Sequence, residues 1–147
     1  MTTQTGPLRY SEKVRRYFEA NQNVLVIEDD RIMGQMVAEI LDDLGFRIMT
    51  ADSGMVAFEK LRQNPVDFIV LDILLPEMDG FEFYAALQAN PDTKDIPVMI
   101  ISAWSDEKNV KRAYEMGIQH FLPKPFTEDE LVHTILTLLV DSSRGTK

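Results

Sequence analysis

Val66-Asp67-Phe68-Ile69-Val70-Leu71-Asp72-Ile73-Leu74-Leu75-Pro76-Glu77-Met78-Asp79-Gly80 is the stretch whose reading decides the fold. It begins as a nearly unbroken apolar run, the pattern of a parallel strand covered by helices on both faces. One carboxylate, Asp72, stands where that run gives way to Pro76 and Asp79-Gly80, and Pro and Asp-Gly are turn chemistry. A strand therefore ends near Asp72 and a loop follows. Ligands of open parallel sheets bind at the carboxyl ends of strands, which makes Asp72 a candidate for chemistry; a capping or solubilising aspartate is the plainer alternative.

Working outward, Asn23-Val24-Leu25-Val26-Ile27 is a second buried-strand pattern and ends in Glu28-Asp29-Asp30. From Arg31 to Leu44, Ile32, Met33, Met36, Val37, Ile40, Leu41 and Leu44 recur at helical period, and Gly45 closes the run. Phe46 to Thr50 is a weaker strand. Ser53 caps a helix carrying Val56, Ala57, Phe58 and Leu61 that stops before Asn64-Pro65. Beyond Gly80, Phe81, Phe83, Tyr84, Ala85 and Leu87 predict another helix. Pro97 to Ile101 is a fourth strand, running into Ser102-Ala103-Trp104. Ser105-Asp106-Glu107 opens a helix that continues through Val110, Ala113, Tyr114 and Met116 to Gly117. Gln119 to Leu122 is a short fifth strand leading into Pro123-Lys124-Pro125-Phe126. Thr127 and Glu130 form a capping box at the start of the last helix, expected to run to about Val140. Strand and helix alternate five times, the signature of a parallel α/β sheet. The expected organisation is an N-terminal extension over residues 1–22, one domain over 23–140 and a polar tail over 141–147.

Composition narrows the chemistry. The 147 residues suffice for one domain with a substantial core. The absence of cysteine excludes disulfides, zinc-thiolate sites and thiol catalysis. No apolar run reaches the roughly 20 residues that span a bilayer, and the first residues lack a signal-peptide pattern, so the expected location is the cytoplasm. A net charge of −9 argues against binding nucleic-acid phosphates directly. The charge is uneven: Arg9, Lys13, Arg15 and Arg16 against Glu12 and Glu19 give a local +2, so the remainder stands at −11. Tyr10 to Ala20 reads as a short helix with Val14, Tyr17 and Phe18 on one face. Such a segment is too short to be stable alone, and it is expected to cover part of its own domain or to serve partner or self-association.

The ends of strands one, three, four and five supply Glu28 and Asp29, Asp72, Ser102 and Lys124. Right-handed crossovers project them all from one edge of the sheet. Clustered carboxylates repel one another unless a cation neutralises them, and Mg²⁺ is the natural hard cation for oxygen ligands. A lysine charge and a serine hydroxyl beside it suit phosphoryl oxygens. The combination implies phosphoryl transfer onto a carboxylate.

At this point the sequence resembles the receiver domains of two-component response regulators, chemotaxis receivers included, over about Asn23 to Val140. The resemblance lies in Val26-Ile27-Glu28-Asp29-Asp30, in Asp72 through Pro76 to Asp79-Gly80, in Ile101-Ser102-Ala103 and in Lys124-Pro125-Phe126. It implies a flavodoxin-like, doubly wound five-stranded sheet in order 2-1-3-4-5 with helices on both faces, a fold for which a chemotaxis receiver is a standard example. It implies that Asp72 accepts a phosphoryl group from a histidine kinase or a histidine phosphotransfer protein. Mg²⁺ would be bound by Asp29, Asp72, the Leu74 backbone carbonyl and Glu28, the last partly through water. Asp30 would cap the first helix. Lys124, across a Lys124-Pro125 bond that is typically cis in such domains, would contact phosphoryl oxygens, Ser102 would hydrogen-bond them, and Phe121 would stand in the aromatic switch position, usually Tyr. Leu74 and Trp104 would flank the path of hydrolytic water and slow self-dephosphorylation. The protein would then be a phosphoacceptor signalling domain rather than an enzyme. It would act through a downstream target protein, or as a homodimer through the fourth helix, fifth strand and fifth helix, where Lys108, Lys111 and Arg112 are interaction candidates. No DNA-binding pattern follows Val140, which suggests a stand-alone receiver or a piece of a longer chain.

Three alternatives bear on the same residues. A Mg²⁺-dependent phosphatase with an Asp nucleophile usually has a second Asp where Leu74 stands. A flavodoxin needs a phosphate cradle after the first strand, where Glu28-Asp29-Asp30 would repel FMN. A phosphorylation-independent pseudo-receiver usually lacks the acidic or Lys positions present here. His120 and His133 are read as packing or surface residues, and the methionines as gap-fillers.

Overall fold

The alternation of apolar runs and amphipathic segments produces a single parallel sheet. In the computed structural model, residues 22–145 are described, with side chains given through residue 142. The strands are β1 (Asn23–Ile27), β2 (Arg47–Ala51), β3 (Phe68–Asp72), β4 (Val98–Ser102) and β5 (His120–Pro123). The helices are α1 (Arg31–Asp43), α2 (Gly54–Gln63), α3 (Gly80–Ala89), α4 (Glu107–Glu115) and α5 (Glu128–Gly145). The sheet order is β2-β1-β3-β4-β5 and all pairings are parallel. The sheet order and the doubly wound architecture are those expected. The N-terminal helix expected over Tyr10 to Ala20 lies outside the described residues.

Period-two alternation divides the core into two layers. Val24 and Val26, Phe68 and Val70, and Met99 and Ile101 point to the face covered by α1 and α5. Their neighbours Leu25 and Ile27, Ile69 and Leu71, and Val98 and Ile100 point to the face covered by α2, α3 and α4. Burial on both faces is why the central strands read as continuous apolar runs.

Local signals set the ends of elements. Asp30 caps α1 by accepting the Ile32 and Met33 N–H groups at 3.0 and 3.2 Å. Asp79 and Glu82 form a reciprocal capping box on α3, and Thr127 and Glu130 form one on α5. Gly45 and Gly117, at φ 101° and 100°, terminate α1 and α4 in the left-handed region that favours glycine.

Several boundaries differ from the expectation, among them β4, which runs Val98–Ser102 rather than Pro97 to Ile101. Strand β2 begins one residue later, leaving Phe46 as a buried plug whose ring meets Phe68 edge-on at 5.3 Å. Strand β5 is likewise shifted by one residue to His120–Pro123. Helix α5 continues through Gly145 rather than ending near Val140. His120 Nε2 lies 3.1 Å from Asp141 Oδ2, and Ser142 Oγ donates to the Leu138 carbonyl, so polar residues continue the helix instead of forming a tail. Phe68 joins the strand that carries Asp72 to Phe46; Phe68→Ala is expected to lower unfolding free energy by about 3–5 kcal/mol, measured by urea denaturation against wild type.

Candidate phosphoacceptor site

The register brings the expected residues to one edge. Asp72 and Ser102 are the last residues of β3 and β4, Glu28 follows β1 directly and Lys124 follows β5. Asp72 and Glu28 are 3% and 5% exposed and Ser102 is wholly buried. Burying two carboxylates side by side is costly unless positive charge reaches them. Lys124 supplies it: its Nζ donates to Glu28 Oε1 at 2.6 Å and to Asp72 Oδ2 at 3.0 Å. The other oxygen of each carboxylate is also engaged, with the Asp30 N–H donating to Glu28 Oε2 and the Leu74 N–H to Asp72 Oδ1.

Alternation explains the grouping. Asp72 continues the Phe68 and Val70 side of β3, and Lys124 the Leu122 side of β5, so both lie toward α1 and α5. Ser102 continues the Val98 and Ile100 side of β4, the face on which half-buried Phe121 also packs. The Ser102 hydroxyl accepts the Trp104 N–H at 3.0 Å, and the Ser102 carbonyl accepts the Lys124 N–H at 3.0 Å. Strand β4 is thus tied to the residue that carries the cation.

Electrostatics follow from burial. Desolvation pushes the Glu28 carboxyl from 4.5 up to about 7; the Lys124 hydrogen bond opposes the rise, and the Asp72 carboxylate adds to it. Burial alone would lower the Lys124 ammonium, but Glu28 and Asp72 hold it above the ordinary lysine value.

The expected metal ligands offer only oxygen: the Glu28, Asp29 and Asp72 carboxylates and the Leu74 carbonyl. That set suits a hard divalent cation. Two buried carboxylates share a single ammonium, which leaves the site with an excess of negative charge, so the residues present fit such an ion. Among the described residues no three acidic or imidazole side chains form a metal cluster. Glu28 and Asp72 are held by Lys124 while Asp29 is exposed. A cleft of about 710 Å³ opens beside the site, lined by Glu28, Asp29, Arg31, Gln35 and Asp52 among others.

Other expected residues are distributed as follows. Leu74 and Trp104 are 41% and 46% exposed at the rim. The Lys124-Pro125 peptide is cis. Arg112 is not a free surface charge, since its guanidinium lies 4.3 Å from the centroid of the Phe81 ring. His133 is exposed and His120 pairs with Asp141. Sequence reasoning missed the part played by Gly80. Its N–H donates to the Ile73 carbonyl at 2.7 Å, and a Cβ there would stand 2.6 Å from the Asp72 carbonyl oxygen. The Asp79-Gly80 turn was the available signal.

With this geometry established, the comparisons with known proteins are specific. The family described as the response regulator receiver domain matches residues 24–136, and the chain belongs to it. It is a receiver domain of two-component signalling, a signalling domain rather than a classical enzyme. Chemotaxis protein CheY-3 of Vibrio cholerae is 32% identical over 108 residues, covering 73% of this chain and 83% of that protein. Transcriptional regulatory protein CrdR of Helicobacter pylori is 32% identical over 110 residues, 75% of this chain and 51% of CrdR. The chain spans about half the length of the curated transcriptional regulators it matches. Among solved structures, the receiver domain of the Francisella response regulator 1452 superposes with a TM-score of 0.75 at 29% identity, covering 83% of this chain and 99% of that one. The receiver domain of the sensor histidine kinase PA1611 of Pseudomonas aeruginosa has a magnesium ion coordinated in its active-site cleft. It superposes with a TM-score of 0.74 at 23% identity, over 82% of this chain and 99% of that one, a likeness of fold alone.

The raised Glu28 carboxyl has a consequence for stability. Between about pH 4.5 and 7 the folded protein retains a proton that the unfolded chain has released, so the Glu28 contribution falls as pH rises through that window. In buffer free of divalent cations, Glu28→Gln is expected to gain stability relative to wild type from pH 4.5 to 7 and to hold a constant difference above it. Thermal unfolding of both proteins across this range measures it.

Proposed function

We propose that this receiver accepts a phosphoryl group on Asp72 from a phosphohistidine of a histidine kinase or histidine phosphotransfer protein, and signals through phosphorylation-dependent protein contacts. The observation that carries this reading is the Lys124 ammonium bridging buried Glu28 and Asp72, with buried Ser102 ending the neighbouring strand β4. In the proposed transfer an Asp72 carboxylate oxygen forms a bond to phosphorus as the bond from phosphorus to the donor imidazole nitrogen breaks, and the imidazole leaves neutral once it takes up a proton. Lys124 offsets the charge of the phosphoryl oxygens, and Ser102 donates its hydroxyl to one of them. Mg²⁺, which Asp29, Asp72, the Leu74 carbonyl and Glu28 through water would hold, supplies charge neutralisation when bound.

The switch is proposed to run through β4 and β5. Ser102 and Phe121 share a face of the sheet, so drawing Ser102 toward a phosphoryl group opens space for the Phe121 ring. Phe121 has no hydroxyl to hold it outward, which biases this switch differently from a tyrosine. The output surface is proposed to be α4, β5 and α5, used by a target protein or a second copy. A shallow groove of about 630 Å³ on α4, lined by Val110, Lys111 and half-exposed Tyr114 with Glu107 and Glu115, supports that choice. Among the described residues no helix is long and apolar enough to cross a membrane, and a cytoplasmic location is part of the proposal.

Intact mass after incubation with acetyl phosphate and Mg²⁺ tests the acceptor. Wild type is expected to gain one phosphoryl group and Asp72→Asn none. Failure of the wild type to gain mass or to bind beryllofluoride with Mg²⁺ would replace this reading with a phosphorylation-independent interaction module.

Leu74 and Trp104 further lead us to propose slow self-dephosphorylation, because their exposed apolar bulk flanks the site and offers no group to orient water. The phosphoprotein is expected to persist for minutes or longer, and Leu74→Asn to shorten its life. A wild-type lifetime of seconds, read from the decay of phosphorylated mass, would refute the idea.

A further inference from the structure

The amino edge of the sheet, opposite the edge that carries Asp72, holds a cleft of its own. It has a volume of about 280 Å³ and lies below the first residues of β4 and β5. Helix α3 walls it from one face of the sheet and α5 from the other, and the turns that lead into β4 and β5 border the rest.

The α3 wall offers donors. Tyr84 is only 8% exposed, yet among the described residues its hydroxyl has no hydrogen-bond partner. A buried tyrosine ordinarily finds one. Gly117 borders the cleft beside this hydroxyl, and even a Cβ added there would stand 3.7 Å from it, so nothing at that position covers the oxygen. Burial pushes the Tyr84 phenol above its ordinary range, which keeps its proton in place for donation. The loop before β4 is pinned to the same helix: Gln88 Nε2 donates to the Lys94 carbonyl at 3.1 Å, and Thr93 Oγ1 to the Leu87 carbonyl at 2.8 Å. Lys94 thereby lines the cleft, and its ammonium has no ion pair among the described residues.

The α5 wall offers acceptors. Asp141 Oδ2 lies 3.1 Å from His120 Nε2, and the other carboxylate oxygen has no partner among the described residues. Ser142 Oγ gives its proton to the Leu138 carbonyl at 2.9 Å, so toward the cleft it can only accept. The carboxyl ends of α3 and α4, at Ala89 and Glu115, also lie toward this edge, and their dipoles favour positive charge. A simple anion would leave the Asp141 side unmatched, and a simple cation would meet Lys94.

We propose that this cleft binds a small zwitterion of amino-acid size, with its carboxylate held by Tyr84 and Lys94 and its ammonium by Asp141 and Ser142. Size agrees: at about 30 Å³ for each water in the liquid, the cleft holds about nine waters, or a molecule of about as many non-hydrogen atoms. Binding here does not depend on phosphorylation of Asp72, which ends β3 at the other edge of the sheet.

An NMR titration of the full ¹⁵N-labelled chain at neutral pH tests the site. Glycine, L-serine and L-threonine are the zwitterionic probes, and acetate and methylammonium, at matched ionic strength, carry one sign each. At least one amino acid is expected to shift the Gly117 and Ser142 amide resonances saturably, with a Kd about tenfold or more below that of either single-sign probe. Tyr84→Phe keeps the ring and Lys94→Gln changes an exposed side chain, so both are expected to melt as wild type does. Each is expected to weaken binding about tenfold, the loss of one hydrogen bond to a charged group. The proposal would be overturned by no saturable shift with any of the three amino acids, by acetate or methylammonium binding as tightly as they do, or by undiminished binding in either variant.

Discussion

The ammonium of Lys124 lies 2.6 Å from Glu28 and 3.0 Å from Asp72, and the edge of the sheet is arranged around that bridge. Two carboxylates at 5% exposure or less cannot stay ionised together in a poorly solvated setting without a cation at hand. The lysine follows directly on Pro123, which pairs with Ser102 at the end of β4, and from there its side chain reaches across to both carboxylates. Its backbone N–H is bound to the Ser102 carbonyl. One residue therefore sets the charge of the acidic pair and ties the serine strand to it.

Alternation across the sheet separates two tasks. Glu28, Asp72 and Lys124 gather on the side of α1 and α5, whereas Ser102 and Phe121 belong to the side of α2, α3 and α4. The hydrogen bond from the Lys124 N–H to the Ser102 carbonyl joins the two groups across the sheet. Arg112 over Phe81 adds a contact between α4 and the first turn of α3, just beyond the loop that begins at Asp72.

Much of this was legible because both signals involved are local. The change from continuous apolar runs to 3.6-residue periods marks strands and helices, and residues at the ends of strands in a parallel sheet share an edge. Asp30 was legible as a cap for the same reason: capping is settled within three residues. What escaped depends on surroundings. The helical pattern of α1 and α4 included Ile32 and Tyr114, yet these are 81% and 55% exposed, because periodicity counts apolar residues without measuring how wide a face the sheet can cover. The extension of α5 escaped because Asp141 and Ser142 look like a tail until His120 and the Leu138 carbonyl are seen beside them. Asp29, expected with Glu28 as a metal ligand, stands exposed beside it, while Glu28 is the buried member that meets the lysine.

The loop from Ile73 to Gly80 is closed on itself. The Gly80 N–H returns to the Ile73 carbonyl, and the Gly80 Cα packs against the Asp72 and Ile73 backbone so closely that no side chain fits. Both ends of the loop are thereby fixed to the end of β3, and its residue count is fixed with them. Side chains along it, such as Leu74 or Glu77, can be exchanged at little cost to the scaffold, whereas inserting or removing one residue would break the closure and shift the first turn of α3. Variation here is confined to composition; length is not free to change.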